Sequence, residues 1–458
     1  MCNVRIIAAV LIIFAALSYC GQENCRFEDG DRVCFVGDSI THSGTYHSLV
    51  YLYYATRFPE KKIHIYNCGI GGDTAGGVLR RFEWDIEPYK PDVVAVMLGM
   101  NDVGRADYHT GQTTDAQAAS KAEHIGQYHE NMQQLAAKFK SLGSSMIFIT
   151  PSIYDQTARI ECPNNYGAND ALKSFADFNM ALSKKNDGCL VDFHNPMRRI
   201  NEQLQTSDPS LTIVGSDRIH PGRVGNFVMA YLFLTSQGMP EYVSRAVIDA
   251  SDKKFDTINC GIEKLEVSDK GVSFECLSQS LPFPVSPDYE KALELVGFTN
   301  SLNKEIIAVK GLKGSNYDMI VDGKSLGTFS GSQLADGVNL AVIKDSPSCV
   351  QAVKVAELNE QRRLIEFDLR TLIFVEHMML KRRIVEPFDM DKLRLELEAS
   401  MKQRENTSTY DNYRRKVDLY YAKKPVEKSM RQNIEELIDL MYVQNKPVSH
   451  KFSVKMAD

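Results

Sequence analysis

The sequence has few of the features that mark nucleic-acid-binding or zinc-binding proteins. No short block of lysine and arginine stands out among its 458 residues, and the formal net charge of −6 gives no basic surface. We therefore expect no nucleic-acid partner. None of the ten cysteines belongs to a C-x-x-C pair, so the usual spacing of a zinc site is missing. The cysteines are compatible with a few disulfides or with buried thiols, and their spacing leaves the pairing open.

Hydrophobic runs long enough to cross a membrane are also lacking. The apolar run that follows Arg5 has about fourteen residues, fewer than a bilayer-spanning helix needs. A basic residue, an apolar run and then small and polar residues are the layout of an export signal, which we predict at residues 1–20. The letters LSYC also resemble a bacterial lipoprotein cleavage site, at which Cys20 would carry a lipid anchor. We therefore expect the mature protein outside the cytoplasm, either secreted or periplasmic.

The sequence contains an alternation of strands and helices between residues 25 and 245. Five short apolar runs are separated by amphipathic segments: RVCFVG, KKIHIYN, PDVVAVMLG, SSMIFIT and GCLVDF. Nearly continuous apolar strands between helices indicate a parallel sheet that is covered on both faces. The sequence therefore predicts an α/β fold, with a three-layer α/β/α domain in this part of the chain.

The rest of the chain has a different pattern. Residues 250–345 contain short alternating runs with glycine and aspartate turns, which predict a small β-rich accessory domain. Residues 346–458 are charged and have the periodicity of helices, so we expect a helical C-terminal region packed on the body of the protein. Neither region suggests chemistry of its own.

Four polar stretches of the α/β domain carry candidate catalytic residues. They are GDSI with Ser39, NCGIGGDT with Gly72, LGMND with Asn101, and DRIHPG with Asp217 and His220. Loops at the carboxyl ends of parallel strands converge on one crevice, so these residues can meet. Ser39 could be a nucleophile with His220 as its base and Asp217 orienting the imidazole. The backbone N–H groups of Ser39 and Gly72 and the amide of Asn101 are suitable oxyanion donors.

Each stretch also has a simpler interpretation. Gly-Asp-Ser after a strand is commonly a turn with a helix cap, and Asn101 and Asp102 could be turn formers. GIGGDT could bind phosphate, although it lacks the lysine and the spacing of a P-loop. Asp217 and His220 could bind a metal, although no further ligands are obvious. The order of the four stretches and their positions after strands favour the catalytic interpretation.

Taken together, VGDSI, NCGIGGDT, LGMND and DRIHP resemble the named blocks of the SGNH hydrolase family, also called GDSL-like lipases and esterases. The resemblance implies a flavodoxin-like sheet of five parallel strands, with no metal and no cofactor. It also implies that Ser39 is the nucleophile and that Asp217 and His220 complete the triad. The oxyanion hole would consist of Ser39, Gly72 and Asn101.

The resemblance also bears on the substrate. It covers roughly residues 30 to 240, and Ile40 followed by Thr41 is similar to the branch rich in carbohydrate esterases. We therefore expect an exported serine esterase that hydrolyses small acyl esters, above all acetyl esters, on carbohydrates or other small molecules. A lipase or lysophospholipase of the same family and a non-catalytic glycan-binding protein with the same fold are the alternatives. The sequence leaves the natural substrate and the oligomeric state open.

Overall fold

The structure is a computed structural model that describes residue 22 and residues 25–457. The predicted export signal at residues 1–20, with Cys20, lies outside the described residues. Within the part that is described, no helix combines the length and apolar character needed to cross a membrane.

The first part of the chain is built around a sheet of five parallel strands. In chain order they are β1 (Arg32–Gly37), β2 (His64–Gly69), β3 (Val93–Met97), β4 (Ser145–Ile149) and β5 (Cys189–Val191). Their spatial order is β2-β1-β3-β4-β5, the order of flavodoxin-like folds. The middle strand, β3, is buried along nearly its whole length, as expected for a sheet covered on both faces.

Seven helices cover the two faces of this sheet. They are α1 (Ser39–His42), α2 (Thr45–Arg57), α3 (Ala75–Arg81), α4 (Asp115–Ser141), α5 (Ala168–Lys185), α6 (His194–Ser207) and α7 (Arg223–Ser236). Alternate residues of a strand enter different apolar cores, because successive side chains point to opposite faces. Phe35 and Ile147 belong to one core, and Val36 and Phe148 to the other. The predicted three-layer α/β/α architecture is therefore confirmed.

A disulfide joins the start of the described chain to the edge of the sheet. Cys25 is bonded to Cys189, which begins β5, across a sequence separation of 164 residues. The other cysteines of the described part are free thiols: Cys34, Cys68, Cys162, Cys260, Cys276 and Cys349. A crosslink over so long a loop restricts the unfolded chain and thereby favours the folded state.

Two further sheets pack against each other beyond α7. Their strands are β6 (Tyr242–Asp249), β7 (Lys254–Ile258), β8 (Cys260–Ser268), β9 (Gly271–Ser278), β10 (Lys304–Lys310), β11 (Asn316–Val321), β12 (Lys324–Ser330), β13 (Val338–Asn339) and β14 (His450–Met456). The strand orders are β13-β10-β6-β7 and β12-β11-β14-β9-β8. Ile248 and Val309 of the first sheet share one apolar core with Phe274 and Val454 of the second.

Short helices and a long helical segment complete the chain. The short helices are α8 (Glu290–Val296), α9 (Phe298–Leu302) and α10 (Gly331–Asp336). The long segment comprises α11 (Pro347–Phe374), a π-helical turn (Val375–Leu380), α12 (Met390–Lys402), α13 (Tyr410–Lys423) and α14 (Glu427–Gln444). Leu372 and Val375 lie in one apolar cluster with Ile70, which follows β2. The C-terminal helices therefore pack on the α/β domain.

The chain ends in a strand rather than a helix. β14 lies between β9 and β11, and it pairs antiparallel with both. This strand falls within residues 346–458, for which the sequence predicts helices. Its letters HKFSVKM alternate with period two, and Phe452 and Val454 are its buried positions. The last strand thus closes the sheet formed by residues almost two hundred positions earlier in the chain.

Candidate active site

Ser39, His220 and Asp217 form a hydrogen-bonded chain. The Oγ of Ser39 lies 2.7 Å from Nε2 of His220, and Nδ1 of His220 lies 2.5 Å from Oδ2 of Asp217. Burial alone would raise the pKa of Asp217, but hydrogen bonds from the His220 side chain and from the backbone N–H groups of His220 and Ile219 hold the pKa below its ordinary value. An ionised Asp217 accepts the Nδ1 proton, which leaves Nε2 free to accept a proton from Ser39.

The turn between β1 and α1 presents Ser39. The carboxylate of Asp38 accepts a hydrogen bond from the backbone N–H of Ile40 at 3.0 Å and caps α1. A Cβ atom at Gly37 would clash with the hydroxyl of Thr41, so the turn requires glycine there. Burial raises the pKa of Asp38 to about 6. The helix cap and the presentation of the serine are therefore two properties of the same turn.

The two other predicted oxyanion donors follow the strands on either side of β1. Gly72 is exposed and has φ +77°, a backbone conformation that favours glycine. The amide Nδ2 of Asn101 donates to the carbonyl oxygen of Asp73 at 2.9 Å, which holds Asn101 beside the loop that contains Gly72. Since β1 lies between β2 and β3, the structure brings both residues to the sheet edge that carries Ser39.

Two buried carboxyl groups near this edge were not among the predicted site residues. Asp102 accepts a hydrogen bond from the backbone N–H of Ala75 at 2.8 Å, and its Oδ2 has no hydrogen-bond partner among the described residues. Burial, with the charges of Asp38 and Asp73, raises the pKa of Asp102 to about 7. Asp102 is therefore a buried contact between two site loops rather than a surface turn former. The position of Asp102 directly after Asn101 in LGMND is the sequence feature that could have marked it as part of the site.

The second carboxyl group, Asp73, belongs to a buried charge network. Its Oδ2 lies 2.7 Å from Nε of Arg81, and Nη1 of Arg81 lies 2.5 Å from Oδ2 of Asp85. Arg370 of α11 binds both carboxylate oxygens of Asp85, at 2.7 and 2.8 Å, and its Nε donates to the carbonyl oxygen of Gly69 at 3.1 Å. The C-terminal helical region thus reaches the loop that follows β2, a connection without a local signal in the sequence.

Neither a metal centre nor a nucleophile elbow is found in the described residues. No group of three or more histidine, cysteine, aspartate or glutamate side chains there is placed to hold a metal ion. Residues 323–327 have the spacing G-x-S-x-G, but they lie in the turn that follows β11 and in the first part of β12. A nucleophile elbow instead requires a turn from a strand into a helix.

Comparisons with known proteins identify the family to which the chain is similar. The model of the GDSL-like Lipase/Acylhydrolase family matches residues 35–226. A gut microbial diltiazem-metabolizing enzyme of known structure is 31% identical, with 94% of this chain and 99% of that chain covered and a TM-score of 0.83. An acetylxylan esterase of Geobacillus stearothermophilus is 27% identical over 238 residues, which cover 48% of this chain and 100% of that protein.

The fold and the family match define the class of the protein as a serine ester hydrolase. The chain belongs to the GDSL-like lipase/acylhydrolase family, as its four sequence blocks predict. The family model matches residues 35–226, and the acetylxylan esterase matches 48% of the chain. The similarity to the diltiazem-metabolizing enzyme extends over nearly the whole chain, including the accessory sheets and the C-terminal helices.

Proposed function

We propose that the protein is an exported esterase that removes small acyl groups, above all acetyl groups, from carbohydrates. The observation that carries the proposal is the 2.7 Å contact between Ser39 Oγ and His220 Nε2 at the sheet edge that also holds Gly72 and Asn101. A hydroxyl in contact with a base, beside donors for an oxyanion, is the arrangement that acyl transfer needs.

The proposed reaction has two steps through an acyl-enzyme. Ser39 Oγ attacks the ester carbonyl carbon while Nε2 of His220 takes its proton, and the oxyanion accepts hydrogen bonds from the N–H groups of Ser39 and Gly72 and from the free amide N–H of Asn101. The intermediate collapses as His220 returns the proton to the leaving alcohol. A water molecule then attacks the acyl group in the same way and releases the carboxylic acid. Asp217 holds the imidazole throughout.

The carbohydrate substrate is supported by the similarity to the acetylxylan esterase and by the composition of the loops. The segments that follow the site motifs are largely polar or small: THSGTYH, GGDTAGG and NDVGRADYHTGQTTD. Hydroxyl and amide groups in such loops can bind a sugar, whereas a long acyl chain needs a continuous apolar surface. The diltiazem-metabolizing relative supports a small-molecule substrate for this architecture.

Export is supported by two features at the start of the chain. Residues 1–20 have the layout of an export signal. The disulfide between Cys25 and Cys189 favours an oxidising compartment, where such bonds persist. Secretion or a periplasmic location fits both features, and lipidation at Cys20 would add a membrane anchor.

A panel of nitrophenyl esters from acetyl to octanoyl tests the proposal. We expect kcat/KM to be highest for acetyl and at least about tenfold lower for octanoyl. Ser39→Ala should lose at least about a thousandfold in activity while it keeps its fold. Ser174→Ala, which changes an exposed serine of α5, is the matched control. Undiminished activity of folded Ser39→Ala would refute the nucleophile, and a preference that rises with chain length would favour a lipase.

A further inference from the structure

The end of α11 and the π-helical turn form a surface against the loop that follows β2. A Cβ atom built on Gly71 would lie 3.5 Å from Cε2 of Phe374, and one built on Gly72 would lie 3.8 Å from Cε of Met378. A side chain at either position would therefore be in van der Waals contact with α11 or the π-helical turn. Met378 lies beside Gly72, a proposed oxyanion-hole residue, and Phe374 lies beside the preceding Gly71. We call Phe374 and Met378 the C-terminal wall.

The C-terminal wall is fixed to both loops that carry the site. Arg370, one helical turn before Phe374, donates to the carbonyl oxygen of Gly69. On the other side, the Phe374 ring lies edge-on to the ring of His42 in α1, with centroids 6.2 Å apart. His377 of the same turn lies 3.6 Å from the carboxylate of Asp73. These contacts place the wall beside α1, which carries Ser39, and beside the loop that carries Gly72.

The two residues of the C-terminal wall differ in how much of each is exposed to solvent. Phe374 is buried, whereas Met378 is only partly buried and Gly72 beside it is exposed. The next residue, Met379, is buried in the helical cluster and is part of its core. Met378 therefore presents apolar side-chain surface beside Gly72, and it packs on the buried cluster that contains Phe374.

The reaction geometry indicates which part of a substrate meets this surface. The ester carbonyl oxygen must reach the N–H of Gly72, and the leaving oxygen must face Nε2 of His220 to receive its proton. The acyl substituent is then directed away from His220. We propose that Met378 is a specificity-determining residue that limits the space for the acyl group beside Gly72 and so favours acetyl esters. This inference rests on the proposed function.

The residue concerned lies outside the region that defines the family. The family model ends at residue 226, and Met378 follows it by about 150 positions. A residue supplied by an accessory region can set acyl length while the catalytic loops remain unchanged. The C-terminal helical region is then part of the active site in addition to being a structural support.

Three methionine variants test the inference by the ratio of kcat/KM for hexanoyl to that for acetyl esters. Met378→Ala should raise this ratio at least about fivefold, because space opens for additional methylenes. Met378→Leu has a similar volume and should keep the wild-type ratio. Met390→Ala is the matched control, since Met390 packs on the same apolar cluster as Met378. Its ratio should stay within about twofold of wild type.

Equal ratios for Met378→Ala and Met390→Ala would overturn the inference. A changed preference among acetyl esters of different alcohols, without a changed acyl preference, would also overturn it. Labelling of Ser39 by ethyl and octyl fluorophosphonates, followed by intact mass, gives a readout independent of turnover. If wild type hydrolyses no ester, the proposed function fails, but faster octyl labelling of Met378→Ala would still support the role of Met378 and an unchanged rate would refute it.

Discussion

Two buried carboxyl groups near Ser39 hold the site loops in position, although burying them costs free energy of folding. Asp38 caps the short helix that presents Ser39, and Asp102 accepts the backbone N–H of Ala75. A buried carboxylate with few partners is costly, and this cost raises the pKa of both groups. Their hydrogen bonds go to backbone groups of the site loops, so we infer that they position the loops and do not react with substrate.

Asp102→Asn should change the pH dependence of stability. Burial raises the pKa of Asp102 to about 7 in the folded state, whereas an unfolded aspartate titrates near about 4. Between these values the folded state keeps a proton that the unfolded state has lost, so wild-type stability falls as the pH rises from about 4 to about 7. Asparagine cannot ionise, so the stability of the variant does not undergo this fall as the pH rises. From pH 5 to pH 8 the variant should gain on the order of 2 kcal/mol relative to wild type.

Denaturant unfolding of both proteins at pH 5 and pH 8 measures this difference. All other titrating groups are shared by the two proteins, so their contributions largely cancel. Asp252→Asn changes an exposed carboxyl group and is the control. A difference between Asp102→Asn and wild type that does not vary with pH would show that Asp102 has no raised pKa.

At the scale of elements, α11 is joined to the α/β domain by charge as well as by apolar packing. Arg370 and Arg81 face the carboxylate of Asp85, and all three side chains are buried. Burial alone would raise the pKa of Asp85, but the two guanidinium groups, Arg370 first, hold the pKa at about 2. The balance of charges depends on both arginines, because an unpaired carboxylate in the interior is strongly unfavourable.

Arg370→Met should therefore destabilise the protein by about 3 to 5 kcal/mol, because it leaves a buried negative charge without its bidentate partner. Lys354→Met is the control on the same helix. Lys354 is exposed, and substitutions at such surface positions change stability by about 0.5 kcal/mol or less. Denaturant unfolding at pH 7 compares the two variants. A loss below about 1 kcal/mol for Arg370→Met would mean that the network does not depend on Arg370.

The elements of the α/β domain were largely predictable because their signals are local. The run RVCFVG coincides with β1, and β3, β4 and β5 fall within their predicted runs. β2 begins inside KKIHIYN and extends two residues beyond it, to Gly69. The four polar stretches could be placed because loops after parallel strands share one edge. The contacts of Arg370 could not be predicted, since the bond to Gly69 spans 301 residues. Buried charges such as Asp85 were missed because charged residues are usually exposed.

At the scale of the whole molecule, the second accessory sheet depends on the last strand, β14. β14 is the central strand of its sheet, and the hairpins β11–β12 and β8–β9 lie on its two sides. Phe452 of β14 stacks on Phe274 of β9, with ring centroids 5.0 Å apart. The helices α11 to α14 are therefore an insertion between strands of one β structure, and the accessory sheets cannot be completed until the chain has passed through them.

A chain that ends at residue 446 should consequently lose the second accessory sheet, because two isolated hairpins are marginal in water. We expect this truncation to aggregate or to unfold at a clearly lower temperature than wild type.

Phe452→Ala tests the same point without deleting backbone. It removes a buried ring from the shared core and should lower the free energy of unfolding by about 3 to 5 kcal/mol. Lys451→Ala changes an exposed neighbour on β14 and should alter stability by about 0.5 kcal/mol or less. Thermal and denaturant unfolding measure all three variants. A truncated chain as stable as wild type would show that β14 is dispensable and that the two hairpins are held by other contacts.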